Sequence, residues 1–325
     1  MKSTLIVNLS LVSLVALLVF TRPVPADPVT LGAFVGSSPC DAVSMSLLKI
    51  PATTNCELIK WKLTFYQDQR TLSPSSYQLT YTYGLAQQGT NGVAQGGTTV
   101  KRDGRWSIVA TPQTVTGTAV YRLDPDRPHE SLSFLKMGDN VIHLLDRVGK
   151  LAVGHAGWSY TLNRVGGSAS KRVPPLSISG VEFEPAASTL AAPPVSSVAS
   201  TFVGRSPCRE VAAQLNKAVT ADCMKAKWAL TLYQDPIALT PTTYKLKGTF
   251  YRDRIGEGRW SIVKGTKTDP SAVIYQLDPD DSEGSLLLLK ADDNILFFLD
   301  SDRNLMVGNA DFSYTLNREL KARGF

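Results

Sequence analysis

Four cysteines, Cys40, Cys56, Cys208 and Cys223, are the side chains of this sequence best placed to do chemistry. They form two pairs, the first two 16 positions apart and the second two 15 apart. Each pair opens on the same phrase, Phe34-Val-Gly-Ser-Ser-Pro-Cys40 and Phe202-Val-Gly-Arg-Ser-Pro-Cys208. Four cysteines allow three pairings. The repeat favours Cys40–Cys56 and Cys208–Cys223, because each copy is then self-contained. A redox or metal role would call for a Cys-x-x-Cys or a recurring histidine, and the sequence has neither. Structural disulfides are therefore expected, and with them an oxidising compartment.

The remaining candidates carry weaker signals. His129, His143 and His155 have no histidine counterparts in the second half, where Phe297 stands for His143 and Asn309 for His155. A zinc site needs three or four ligands in one place, so no metal site and no cofactor is expected. Met45, Met137, Met224 and Met306 occupy unmatched places and read as core filler rather than copper ligands. Asp124-Pro-Asp126 and Asp278-Pro-Asp280-Asp281 gather carboxylates that could serve an acid/base pair or calcium, but Asp and Pro are also what a tight turn requires. Asp300-x-Asp302-x-Asn304 resembles the start of a calcium loop, yet Leu305 and Asp311 stand where Gly and Glu are needed. No nucleophile elbow, zinc-protease helix, phosphate loop or dinucleotide fingerprint occurs, and the chain is not expected to be an enzyme. Arg105-Trp106 and Arg259-Trp260 are the candidates for a barrel end. There a tryptophan would close the barrel and a second arginine, Arg164 or Arg318, would stack across it.

The elements that must position these residues come in duplicate. Lys60-Trp61-x-Leu63-Thr64-x-Tyr66-Gln67-Asp68 returns as Lys227-Trp228-x-Leu230-Thr231-x-Tyr233-Gln234-Asp235. Gly104-Arg-Trp-Ser-Ile-Val109 returns as Gly258-Arg-Trp-Ser-Ile-Val263, and Ser159-Tyr-Thr-Leu-Asn-Arg164 as Ser313-Tyr-Thr-Leu-Asn-Arg318. The period is too long for a solenoid, so each copy is a domain with its own core. Alternating segments such as Tyr77–Tyr83 and Tyr244–Phe250, separated by turn residues, predict strands. Five are expected in copy one: Trp61–Tyr66, Tyr77–Tyr83, Trp106–Val109, Ala119–Leu123 and Val141–Leu145, with counterparts in copy two. One short helix is expected near each first cysteine, at Ala42–Leu48 and around Val211–Val219. The fold class is mainly β: two tandem antiparallel lipocalin-like barrels, each with one short helix and one disulfide. Gly84–Thr99 is an insertion of copy one only, read as a long hairpin loop or, more sharply, as a lid over a ligand.

The expected boundaries are a signal peptide at 1–26, a first domain at 27–164, a Pro/Ser/Ala-rich linker at 165–201 and a second domain at 202–325. Lys2, the apolar Leu11–Phe20 and the small residues before Asp27 have the order of a secretory signal. That run is shorter than the ~20 residues a spanning helix needs, and no cysteine follows it to accept a lipid. No membrane span is expected after cleavage, and the location is periplasmic or secreted. Loss of Lys2 and Arg22 brings the net charge from +6 to +4 with no dense basic block, which argues against nucleic acid as a partner. The linker's composition favours independent motion of the two domains.

Pro39-Cys40, Gly104-Arg-Trp106, Leu145-Asp146-Arg-Val-Gly149 and Tyr160-Thr-Leu-Asn-Arg164 resemble, in that order, the N-terminal domain of the NlpE family. Pro207-Cys208, Gly258-Arg-Trp260, Leu299-Asp300 and Tyr314-Thr-Leu-Asn-Arg318 repeat the pattern. The resemblance implies a lipocalin-like barrel of the bacterial envelope, associated with copper resistance and with sensing of surface or envelope stress. Val43 and Val211 stand where that family carries the second cysteine of a Cys-x-x-Cys. The function expected is a cell-envelope binding or sensing module whose partner is an envelope protein. The alternative is a carrier that holds a small apolar ligand inside a barrel.

Overall fold

A computed structural model describes residues 28–109, 119–166, 198–215, 217–252, 255–279 and 285–319. The expected signal peptide, nearly all of the linker, and Asp280 and Asp281 lie outside them.

The chain forms two closed antiparallel barrels of eight strands each. In barrel one the order is β1 (Val29–Pro39), α1 (Ala42–Leu48), β2 (Leu58–Gln67), β3 (Pro74–Gly84), β4 (Thr98–Val109), β5 (Val120–Leu123), β6 (Leu132–Lys136), β7 (Val141–Leu144) and β8 (Thr161–Arg164). Barrel two repeats it with β9 (Val198–Pro207), α2 (Arg209–Gln214), β10 (Lys225–Gln234), β11 (Pro241–Gly248), β12 (Gly256–Lys264), β13 (Val273–Pro279), β14 (Leu286–Lys290), β15 (Ile295–Leu299) and β16 (Thr315–Arg318). β9 begins inside the stretch read as linker, because Val198–Thr201 pair with Thr231–Gln234 and so belong to the sheet.

Consecutive strands pair as hairpins. The last strand returns to the first through Phe34↔Arg164 and Val35↔Asn163 in barrel one, and through Phe202↔Arg318 and Val203↔Asn317 in barrel two. Closure leaves no sheet edge unpaired. Gly36 and Gly204 allow this crossing: a Cβ at either would stand 2.6–2.7 Å from atoms of the strand it crosses.

The interiors are filled by aromatic side chains. In barrel one Phe65 meets Trp106 at 4.8 Å and Tyr121 at 5.1 Å between ring centroids, and Trp61 meets Phe134 at 6.4 Å. Trp61 Nε1 donates to Ser38 Oγ at 2.8 Å and Trp228 Nε1 to Ser206 Oγ at 2.9 Å, so each buried indole has its partner. The disulfides are Cys40–Cys56 and Cys208–Cys223, one per barrel. Each ties the helix start to the approach of β2 or β10.

α1 is set by Asp41, whose carboxylate accepts from the Val43 and Ser44 amides while the Ser44 hydroxyl accepts from the Asp41 amide. α2 has no side-chain cap and is one residue shorter.

The two barrels pack against each other, contrary to the independent motion that the linker composition suggests. The outer faces of β5–β7 and β14–β15 share an apolar cluster: Val120, Leu135, Val141, Leu145 and Leu151 from barrel one, and Ile295 and Phe297 from barrel two. The contacts beside it are reciprocal. Asn163 Oδ1 accepts from the Gly308 amide at 2.7 Å, and Asn317 Oδ1 accepts from the Gly154 amide at 2.8 Å. Equivalent residues meet each other as well: the Ser159 and Ser313 hydroxyls at 2.6 Å, and the Thr161 and Thr315 hydroxyls at 2.9 Å. This is the isologous pattern of a two-fold dimer, here within one chain.

The insertion after β3 joins the interface. It forms a hairpin closed by an Ala86–Val93 bridge, and Asn91 Nδ2 donates to Asp311 of barrel two at 3.1 Å. Lys60 pairs with the same carboxylate.

Two outcomes follow. A protease site placed within residues 167–197 and cut should leave both halves eluting together at the mass of the intact protein; separation on size-exclusion chromatography would contradict the interface. Replacing Cys40 and Cys56 together by Ala should lower unfolding free energy by about 3 kcal/mol, as expected for a closed loop of this length, measured by denaturant titration.

Candidate functional site

The residues expected at a barrel end do not form one site. Trp106 and Trp260 are buried, and their Nε1 atoms donate to the Tyr66 and Tyr233 carbonyls at 2.7 and 2.8 Å. Both indoles belong to the barrel cores. Arg105 and Arg259 precede them on the same strands, face the opposite way and are exposed. Arg164 lies over Phe34 at 6.0 Å rather than over Trp106, and also donates to the Asp139 and Leu31 carbonyls. Arg318 donates to Ser200 Oγ at 3.1 Å. Both arginines fasten the last strand to the first.

His143 and His155 sit at the junction between the barrels. The His143 ring meets its own counterpart, Phe297, edge to face at 5.7 Å. Nε2 lies 2.9 Å from the Ala152 carbonyl, which can only accept, so the proton is on Nε2 and Nδ1 accepts from Thr161 Oγ1 at 2.9 Å. Thr161 in turn can accept from Thr315. Burial pushes the His143 pKa down to about 4. The imidazole is a neutral bridge, not a ligand awaiting a metal.

The Asp300-x-Asp302-x-Asn304 stretch is a turn, as the sequence suggests, whereas Asp280 and Asp281 of the second acidic stretch lie outside the described residues. Asp300 Oδ1 accepts from the amides of Asp302 and Asn304, both at 2.9 Å, and Asp146 Oδ1 accepts likewise from Val148 and Lys150. Among the described residues no group of three metal-ligating side chains occurs. Met224 is exposed rather than core, since it follows Cys223 in a loop before β10 enters the sheet.

Asp124 is more than a turn residue. It stands in left-handed backbone at φ 48°, and its side chain is only 3% exposed. Tyr77 donates to Oδ2 at 2.5 Å, Arg102 to Oδ2 at 2.8 Å, and Arg127 pairs with Oδ1 at 2.9 Å. Burial by itself would raise the Asp124 pKa. The bonds from Tyr77, Arg102 and Arg127 outweigh it and hold the carboxyl below its ordinary value. Burial, then the bond to Asp124, pushes the Tyr77 hydroxyl far up, so it stays a donor.

This cluster lies beside a cavity of about 420 Å³ at the helix end of barrel one, lined by Leu47 and Leu48 of α1, Lys49 that caps it, Tyr81, Lys101, Arg102, Asp103, Arg127 and Glu130. Arg102 faces inward on β4 because it pairs with Leu79, an interior residue of β3. Sequence reasoning missed the cluster, since residues 77, 102, 124 and 127 lie on different elements. The available signal was a difference between the copies: Lys101 and Arg102 correspond to Ile255 and Gly256.

Comparison with protein-family models, characterised proteins and solved structures found no match for this chain.

Acid should destabilise the protein in two ranges. A His143 pKa depressed from 6.5 to about 4 means that the unfolded chain binds the extra proton first. Stability should fall by about 3 kcal/mol as pH drops from near 6.5 to about 4. Asp124, held below 3.8, adds a loss at still lower pH. Thermal melts of the wild type and His143→Phe across this range should show a flatter upper slope for the variant; parallel slopes would contradict the neutral bridge.

Proposed function

We propose that this chain is a binding or sensing module of NlpE-like type, acting in the periplasm or after secretion, and that it works by docking a partner rather than by catalysis. The observation that carries this reading is the packing of the barrels. Phe65, Trp106 and Tyr121 fill one end of barrel one, and Trp61, Tyr81 and Phe134 fill the centre. Barrel two is filled in the same way by Trp228, Phe298 and Trp260 with Tyr275. A small eight-stranded barrel can hold a ligand only if its interior leaves room for one. These interiors are occupied by the chain itself, which favours recognition at the mouths and outer surfaces over carriage of an apolar ligand.

Other features agree. The two disulfides suit an oxidising, non-cytoplasmic compartment. No helix of the described residues is long and apolar enough to cross a membrane. The interface joins the two modules through an apolar cluster and reciprocal hydrogen bonds, so one chain presents the surfaces of both barrels. The carboxylates best positioned for acid/base work, Asp124 and Asp300, are committed to arginines and to backbone amides. In this reading, the link to metal or envelope stress that the NlpE resemblance implies would run through a docked protein, because all four thiols are used in disulfides.

Native mass spectrometry of the protein recovered from an oxidising compartment tests the reading. The expected mass is that of the disulfide-bonded chain with no lipid or other apolar molecule attached. A lipid or other apolar molecule bound one to one would establish the carrier instead.

A further inference from the structure

We propose that the cavity at the helix end of barrel one binds a small oxyanion, a phosphate- or carboxylate-bearing molecule; this deepens the binding-module reading and rests on it. Four cations surround the cavity, Lys49, Lys101, Arg102 and Arg127, against the carboxylates Asp103, Glu130 and the buried Asp124. The acids are largely spent. Asp124 receives Arg127 on one oxygen and Tyr77 and Arg102 on the other. Glu130 receives Lys49 at 2.9 Å and Arg127 at 3.1 Å. The cations are not fully spent. Among the described residues Arg102 donates through Nη2, to Asp124 and to the Glu130 carbonyl, and Nε and Nη1 form no hydrogen bond there. Lys101, its exposed neighbour, forms no ion pair with the described residues. A cation would find no uncommitted carboxylate here except Asp103, whereas an anion finds an arginine edge already oriented by a buried carboxylate.

The second barrel shows that this is not what the fold produces by default. Its counterparts of Lys101, Arg102 and Arg127 are Ile255, Gly256 and Asp281. Where the Arg102 side chain would start, the Tyr251 ring packs onto Gly256, 2.7 Å from the place of a Cβ. Lys217, the counterpart of Lys49, stacks over that ring at 5.5 Å. One mouth is covered by its own tyrosine and the other is open and basic. The apolar floor of the open one, Leu47, Leu48 and Tyr81, is already buried. This favours a compact polar ligand over an acyl chain, and a volume near 420 Å³ suits a small molecule.

The test uses the full-length oxidised protein, with inorganic phosphate and citrate as separate probes at constant ionic strength, followed by calorimetry and by NMR shifts that include arginine Nε signals. Saturable binding of at least one probe is expected, with shifts confined to residues 47–49, 81, 101–103 and 127–130. The tighter probe distinguishes a phosphate ester from a polycarboxylate as the ligand class. Lys101→Glu, at an exposed position outside the Asp124 cluster, should weaken binding at least tenfold without changing the fold. Arg102→Met should do the same, with an added loss of stability. Failure of both probes to saturate, or unchanged binding in Lys101→Glu, would overturn the proposal. Neither result touches the module reading, which fails only if an apolar molecule occupies a barrel.

Discussion

Polar residues on the outer face of one short strand must find their partners on the other barrel, and most of the molecule follows from that requirement. Ser159, just before β8, and Thr161 and Asn163 on it are buried, as are Ser313, just before β16, and Thr315 and Asn317 on it. Buried hydroxyls and amides are costly unless hydrogen-bonded. Each is satisfied across the junction, Ser to Ser, Thr to Thr, and Asn to a backbone amide of the opposite loop. The same two segments turn Tyr160, Leu162, Tyr314 and Leu316 into the barrel cores. One hexapeptide, Ser-Tyr-Thr-Leu-Asn-Arg, therefore serves both core and interface, which is why it stands identical in the two copies.

The interface also accounts for strands that alternation does not reveal. β6 (Leu-Ser-Phe-Leu-Lys) and its counterpart β14 (Leu-Leu-Leu-Leu-Lys) carry apolar residues on both faces, because Phe134 and Leu288 line the barrels while Leu135 and Leu289 line the junction. β8 and β16 are only four residues long, and β1 is interrupted by Gly32, Gly36 and a bulge near Thr30. Eight strands per copy form where five were expected. The aromatic strands, the place of α1 and the pairing of cysteines were legible because each rests on local chemistry: period-two burial, a cap, and a self-contained repeat.

The site was less legible. Arg-Trp read as a unit, but neighbours on a strand face opposite ways, so Trp106 enters the core while Arg105 stays in solvent. The histidines lacked counterparts and looked incidental. His143 is instead the place where the two-fold relation is broken, with imidazole on one side and Phe297 on the other. The carboxylate of Asp124 was hidden behind turn chemistry that it also performs. Only its partners, supplied by β3, β4 and the loop after β5, separate it from an ordinary turn.

Fusing two barrels into one chain changes what such an interface permits. In a dimer of identical subunits every substitution appears twice, and a residue near the axis meets its own copy. A histidine there would face a second histidine, and any change at one mouth would be imposed on the other. Covalent duplication removes this coupling. Positions 143 and 297 could then diverge into a complementary pair, and the insertion of copy one could reach across to Asp311 without a mirror-image loop competing for space. The mouths obey the same logic. Tyr251 covers Gly256 in barrel two, while Arg102 opens a charged cavity in barrel one. A symmetric junction that holds the pair together, and asymmetric mouths that no longer need to match, are two consequences of one duplication.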